Sequence, residues 1–344
     1  MPRRFLLALI LPAILLLPGC WFGSEPEQIR LSGQTMGTTY NVIAIGEDLD
    51  RDALATGVQA TLAAVNAKMS NWDPASEVST FSAARSTAPV RVSPEFAQVL
   101  AAANGVHEQT GGKFDVTLGP LIELWGFGPR KPEDPVPSDA AIAKALEGVG
   151  QARLLTLDAG AGTLKKSAPE TGINLSAIAK GYGVDAVAAA LQGFGVENYM
   201  VEIGGDLVTK GENSKGEAWR IGIEKPDAAA QTVQLIVPVS NLGLATSGDY
   251  RNYFEHEGVR YSHILDPVAG RPVTHSTTSV TVIAENAMLA DAWATAMLVL
   301  GSKDGLKLAE AHKLAVFFID RDVQAGPDAY MTTASGAFEA LTGN

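Results

Sequence analysis

Apolar and polar residues alternate along IRLSGQTMGTTYNVIAIG, residues 29–46, with breaks at Gly33 and Gly37, and this predicts two strand segments. Beyond Asp50 the period changes. Leu54, Val58, Leu62 and Val65 recur three or four residues apart, the spacing of one helical face, and Asp50 is its cap. Ser93-Pro94 opens a second helix, a capping hydroxyl followed by proline in the first turn, and Gly111-Gly112 closes it. Residues 129–137 hold four prolines among charges and read as a surface loop.

From Gly172 a small-residue turn leads into a helix over Ala179 to Leu191, then into strand-like runs at NYMVEIGG, WRIGIEKP, VQLIVPV and SVTVIAE. Two helical patterns, AMLADAWATAMLVL and GLKLAEAHK, precede a last apolar strand, AVFFID. Strands and helices do not alternate regularly. The expected class is therefore α+β, a single large domain of mixed or mainly antiparallel sheet with flanking helices.

The first residues follow another logic. Arg3 and Arg4 precede an apolar run from Phe5 to Leu17, the layout of a secretory signal and shorter than the roughly 20 residues of a membrane span. The run ends at Leu17-Pro18-Gly19-Cys20, which resembles a bacterial lipoprotein signal in which the cysteine becomes the lipidated first residue. This divides the chain into a signal peptide over 1–19, a lipidated tether over 20–29 and a domain over 30–344. Cys20 is the one cysteine, so an intrachain disulfide or a cysteine-built metal site is excluded. Trp21, where aspartate would mark retention, points by the same resemblance to the periplasmic face of the outer membrane over the inner one. Loss of residues 1–19 removes two of the 26 basic residues and leaves 24 against 38 acidic ones, a net charge of −14. Such a surface repels nucleic acid.

Neither a GxxxxGK[ST] loop nor a GxGxxG after a strand occurs, so a bound nucleotide would need another kind of cradle. In LADAWATAM, Asp291 and Thr295 sit four apart and share a helix face. Two such oxygens suit a hard cation, and equally a solvated aspartate beside a threonine bonded to its own backbone. Lys180 lies at the start of its helix, where anions gather, or where a surface lysine simply projects. Gly204 and Gly205 permit close backbone approach or a tight turn. In YSHILDPVAGRP, alternation puts Tyr261 and His263 on one face ahead of the turn led by Asp266. That histidine can serve as a general base or can only tie down the turn.

Taken together, QTMGTTYNV, MSNWDPASEVSTF, FDVTLGPLIELWGFGP, INLSAIAKGYGVD, VEIGGDL, WRIGIEKP, ATSGDYRNY, YSHILDPVAGRP and VTVIAENAMLADAWATA resemble the ApbE family of FAD:protein FMN transferases. They span nearly all of Gln34 to Gly301. The resemblance implies an ApbE, T-fold-like architecture and a magnesium-dependent cleavage of the FAD pyrophosphate. FMN passes to a serine or threonine hydroxyl of a partner protein and AMP leaves. It implies Asp291, Thr295 and the Ala177 carbonyl as metal ligands, and FAD contacts from Met36, Trp72, Phe114, Asp115, Val116, Asn174, Lys180 and Ile264. His263 matches the proposed base, and the turn led by Asp266 is expected to fix it beside the phosphate. The implied partners are periplasmic acceptors of redox complexes with a Ser/Thr-Gly-Ala motif.

Two positions depart from the pattern. Asn174 stands where aspartate is frequent, removing one negative charge near the metal, and Ala269 replaces a threonine in the turn. Ser335 to Ala337 spell part of the acceptor motif without its upstream aspartate and are expected to pack the C-terminus. A pyrophosphatase that gives FMN and AMP from the same site, and a flavin-binding lipoprotein without catalysis, are the competing readings.

Overall fold

The first strands appear as a hairpin, β1 (Glu27–Thr35) and β2 (Thr38–Gly46), paired from Glu27↔Gly46 to Thr35↔Thr38. Met36 and Gly37 make the turn, both with positive φ, a pairing whose twist suits two-residue hairpins. The computed structural model describes residues 27–128, 136–226, 232–326 and 329–343. The signal, Cys20 and residues 129–135 of the proline-rich loop lie outside them. The tether expected over 20–29 ends earlier than its composition suggests, because residues 27–29 already pair with β2 and Ile29 is buried.

Six more strands complete one sheet: β3 (Asn198–Ile203), β4 (Asp206–Lys210), β5 (Gly243–Gly248), β6 (Thr277–Ala284), β7 (Ala315–Arg321) and β8 (Tyr330–Ala334). Their order is β1-β2-β3-β4-β5-β6-β7-β8, and every neighbouring pair is antiparallel. The expected mixed or mainly antiparallel sheet is thus wholly antiparallel among the described residues of its eight strands.

The four longest helices among the described residues are α1 (Arg51–Met69), α2 (Pro94–Gln109), α3 (Ala179–Gly193) and α4 (Ala287–His312). Asp50 caps α1 by accepting the Asp52 and Ala53 N–H groups, and Ser93 caps α2 through the Phe96 N–H. Leu54, Val58, Leu62, Val65 and Met69 are each at most 5% exposed, so each stabilises the packing of α1 by roughly 1.5–3 kcal/mol. They meet β1, β2 and α3 on one face of the sheet. The opposite face is covered by a two-stranded sheet, Trp219–Glu224 with Val233–Val239, and by Phe338 of the last helix. β6 lies between these layers and is buried on both sides, which is why its sequence is apolar or hydroxyl-bearing throughout.

The two helical patterns near the C-terminus form one element broken at Gly301, whose φ of 73° and ψ of 168° leave the helical region. Only glycine adopts that geometry without strain, and a Cβ there would also meet the His275 ring at 2.8 Å. Ser335 is fully buried, caps the last helix and donates to the Leu314 carbonyl at 2.6 Å. The partial acceptor motif is therefore structural.

Candidate functional site

The site begins where α3 and α4 touch. A Cβ at Gly181 would lie 2.2 Å from the Ala287 carbonyl oxygen and 2.7 Å from the Met288 Cα, so only glycine permits this approach. One turn further along α3, Asp185 accepts the Ala287 and Met288 N–H groups, both at 2.9 Å, and fixes the first turn of α4. Burial raises the Asp185 pKa to about 6 despite these two bonds. Gly181→Ala is expected to force the helices apart at a cost of about 3 kcal/mol, read as a lower denaturant midpoint in chemical unfolding. A midpoint equal to that of the native chain would show that the contact has room to spare.

This contact brings the charges together. The Lys180 ammonium bonds to Asp206, at the start of β4, and to Asp291 Oδ1 at 3.3 Å. Both carboxylates are buried. Burial opposes the charge on Lys180, but Asp206 and Asp291 outweigh it and raise its pKa, so it is an ammonium throughout the physiological range. Burial and the charge of Asp291 push Asp206 up to about 8 in spite of Lys180. At neutral pH Asp206 is therefore largely protonated, and a further cation beside the cluster would favour its ionised form.

The oxygens for such a cation lie around the first turn of α3. The N–H groups of a first turn have no partner within their helix. That of Gly181 donates to Asp291 Oδ2 at 3.2 Å, which ties α4 to this turn just after Ala177. One turn beyond Asp291, the Thr295 hydroxyl lies 3.2 Å from the Ser247 hydroxyl on β5. A carboxylate, a hydroxyl and a carbonyl are the donors a hard cation such as magnesium prefers. Among the described residues no group of three or more His, Cys, Asp or Glu side chains forms a metal site, so a cation here depends on this mixed set of oxygens.

From Ser247 the chain runs five residues to Asn252, whose carbonyl accepts His263 Nδ1 at 2.9 Å and the His263 N–H at 3.1 Å. The ring proton therefore sits on Nδ1, and Nε2 keeps its lone pair. Burial holds the His263 pKa below its usual value, against the opposing effects of the Asn252 carbonyl and Asp249. Asp266 holds the turn and makes no bond to the histidine ring. Its carboxylate bonds to Lys113 at 2.6 Å and to the Val268 and Ala269 N–H groups of its own turn. Tyr261 and His263 do reach one aromatic cluster. Tyr261 stacks on Trp125 and Phe254, and Phe127 meets the His263 ring edge-on with centroids 6.3 Å apart.

The remaining expected contacts divide by exposure. Trp72 is 84% exposed on the loop after α1, an open aromatic platform. Met36, in the β1–β2 turn, is partly buried beside Gly183 of α3. Asn174 is half-buried, and its side-chain oxygen accepts the Ser176 N–H at 3.0 Å and the Ser176 hydroxyl at 2.6 Å. Ile264 is buried in the same core cluster that Ala177 packs against. Phe114, Asp115 and Val116 are all buried. Asp115 is spent on Thr117 and on the Gln151 N–H, and the Val116 N–H and carbonyl are bonded to Gln151 and Asn174. The Asp115 carboxylate and the Val116 main chain thus hold this segment to Gln151 and Asn174.

With the fold and these contacts established, residues 36–318 match the model of the ApbE family. The chain belongs to the ApbE family. Similar ApbE relatives are the FAD:protein FMN transferase of Vibrio cholerae, 43% identical over 98% of each chain, and that of Haemophilus influenzae, 42% identical over 92% of each. The solved flavin transferase ApbE from Vibrio cholerae superposes with a TM-score of 0.82 at 42% identity, covering 92% of this chain and 99% of that one. The apo flavinyl transferase ApbE of Pseudomonas stutzeri gives 0.83 at 37%, covering 93% and 98%. Like these relatives, the ApbE-family chain is an enzyme.

Four residues that build the site escape a reading of the sequence: Asn71, Asp206, Ser247 and Asn252. Asp206 follows the Gly204-Gly205 turn and looks like turn chemistry. Asn252 acts through its carbonyl, which every residue has and no motif marks.

Proposed function

We propose that this chain transfers FMN from FAD to a serine or threonine hydroxyl of a partner protein and releases AMP. The observation that carries the reading is Asp291 at the first turn of α3, one helical turn from the Thr295 hydroxyl and beside a fixed ammonium, in a chain matched over nearly its whole length by FAD:protein FMN transferases. A magnesium ion held by Asp291, Thr295 and the Ala177 carbonyl would neutralise the pyrophosphate and the charge on the departing AMP. Lys180 adds a second, permanent positive charge. His263 Nε2 takes the hydroxyl proton as that oxygen bonds to the FMN phosphorus and the bond to the AMP oxygen breaks. Trp72 covers a flavin or adenine ring.

The same reading makes the chain an exported lipoprotein held at Cys20 and facing the periplasm, at the outer rather than the inner membrane. Its support is the sequence alone. No helix of the described residues is long and apolar enough to cross a membrane. The acceptors would be periplasmic domains of redox complexes with a Ser/Thr-Gly-Ala motif.

One observation favours a second outcome. The exposure of Trp72 leaves that side of the site open to water, and water in place of the hydroxyl would give FMN and AMP. The test combines the chain from Trp21 onward with FAD, magnesium and such an acceptor domain, followed by intact mass. The expected result is an acceptor heavier by FMN less one water, with AMP released. FMN and AMP without an adduct would make it a pyrophosphatase, and intact FAD held by the protein would make it a flavin carrier.

A further inference from the structure

Asn71 stands between the end of α1 and the exposed Trp72. Its side-chain Nδ2 donates to the Ile173 carbonyl at 2.6 Å, and its Oδ1 accepts the Leu175 N–H at 2.9 Å. Those two backbone groups flank Asn174, so the amide takes the place a neighbouring strand would fill. Both of its polar ends are used, and asparagine alone among residues of its size offers a donor and an acceptor in this planar arrangement. The segment it grips is held from elsewhere too. The Asn174 N–H donates to the Val116 carbonyl at 2.7 Å, and the Ile173 N–H donates to the Ser82 hydroxyl at 3.0 Å. Asn174 then folds onto Ser176, and the turn so formed leads directly into Ala177.

On its other side Asn71 belongs to a tightly tied loop. Ser70 Oγ accepts the Trp72 and Asp73 N–H groups, both at 3.2 Å, and the Ser70 carbonyl accepts the Ser76 hydroxyl at 2.6 Å and the Ser79 hydroxyl at 3.0 Å. Each loop is thus rigid within itself. The Asn71 amide ties them to each other, across about one hundred residues of sequence.

We propose that Asn71 is a positioning residue that fixes the Trp72 ring relative to the Ala177 carbonyl, so that the stacking platform and the cation-binding oxygen meet one ligand in a set register. The identity of that ligand, FAD with magnesium, rests on the function proposed above. The clasp itself does not.

Two substitutions in the full-length chain separate this role from plain stabilisation. Asn71→Ala cuts both bonds to the segment. Ser82→Ala cuts one bond to the same segment from a residue that does not reach the Trp72 loop. Hydrogen exchange without ligand is expected to quicken at least tenfold in both 71–74 and 173–177 for Asn71→Ala, and near 173 only for Ser82→Ala. Exchange that quickens in one loop alone for Asn71→Ala, or in both for Ser82→Ala, would overturn the proposal. In turnover, Asn71→Ala is expected to raise both the KM for FAD and the magnesium concentration for half-activity about tenfold, with Ser82→Ala within twofold of the native chain on each.

Should Asn71→Ala fail to fold, Asn71→Asp keeps an acceptor for Leu175 and sets a carboxylate oxygen against the Ile173 carbonyl in place of the donor. It is expected to shift both constants in the same direction, and native constants at native Tm would overturn the proposal. A native chain that neither binds nor cleaves FAD would end the functional reading, and the exchange result would then decide the clasp on its own.

Discussion

Asp291→Ala is expected to lower magnesium-dependent turnover at least a thousandfold while the protein stays folded. The size of the effect follows from the double part Asp291 plays. It is the one charged ligand of the proposed set, and its Oδ2 also accepts the Gly181 N–H that ties α4 to the first turn of α3. Its removal takes the only carboxylate from the cation and loosens that tie, and the charge stabilisation it supports goes with it. Stability should not fall in step. Asp206 and Asp291 are buried together against one ammonium, and deleting either charge relieves their repulsion. A Tm unchanged or raised, with turnover gone, is the expected pair of results. Asp291→Asn keeps an acceptor for Gly181 and should fall between the alanine variant and the native chain. Full activity of Asp291→Ala with the same magnesium dependence would remove it from the metal site.

His263→Ala carries the second large effect, a loss of FMN transfer of about a hundredfold to ten-thousandfold with FAD affinity within threefold of native. Among the described residues the side chain is held by one hydrogen bond, from Nδ1 to the Asn252 carbonyl, and by the edge of Phe127, so its loss leaves the rest of the site in place. Since burial lowers its pKa, the neutral base is the main form at pH 7. Transfer should therefore be flat near neutrality and decline with acidification through a pKa below 6.5, the rate falling as the ring gains its proton. Measured kcat/KM against pH in the native chain checks the sign. An acidic limb above pH 7, or an active alanine variant, would return His263 to a structural part in its turn.

Local signals are the legible ones. Asp50 and Ser93-Pro94 declare their helices because a cap is a contact between near neighbours, and the 29–46 alternation declares its hairpin because the turn residues lie inside it. The Asp291 and Thr295 pair is readable for the same reason, as one face of one helix. What joins distant segments leaves no such mark. Nothing near Lys180 in sequence names Asp206 as its partner, and nothing near Trp72 says that Asn71 grips residues 173 and 175. Asp266 is a further case. Two residues separate it from His263, yet its carboxylate bonds to Lys113, 153 residues away. Phe114 to Val116 stand out by resemblance alone, and their ties to Gln151 and Asn174 are again made across distant segments.

The break at Gly301 bears on how the chain tolerates change in length. A residue added within Ala292–Ala294 would turn Thr295 about 100° away from Asp291. A residue added beyond Gly301 falls after the helical phase has been reset, so it would rotate only the segment that follows. The proposed ligand pair is insulated from insertions downstream, whose strain would fall instead on the anchors of residues 302–312, among them the Ser302 hydroxyl on Asp320 and Ala309 in the core.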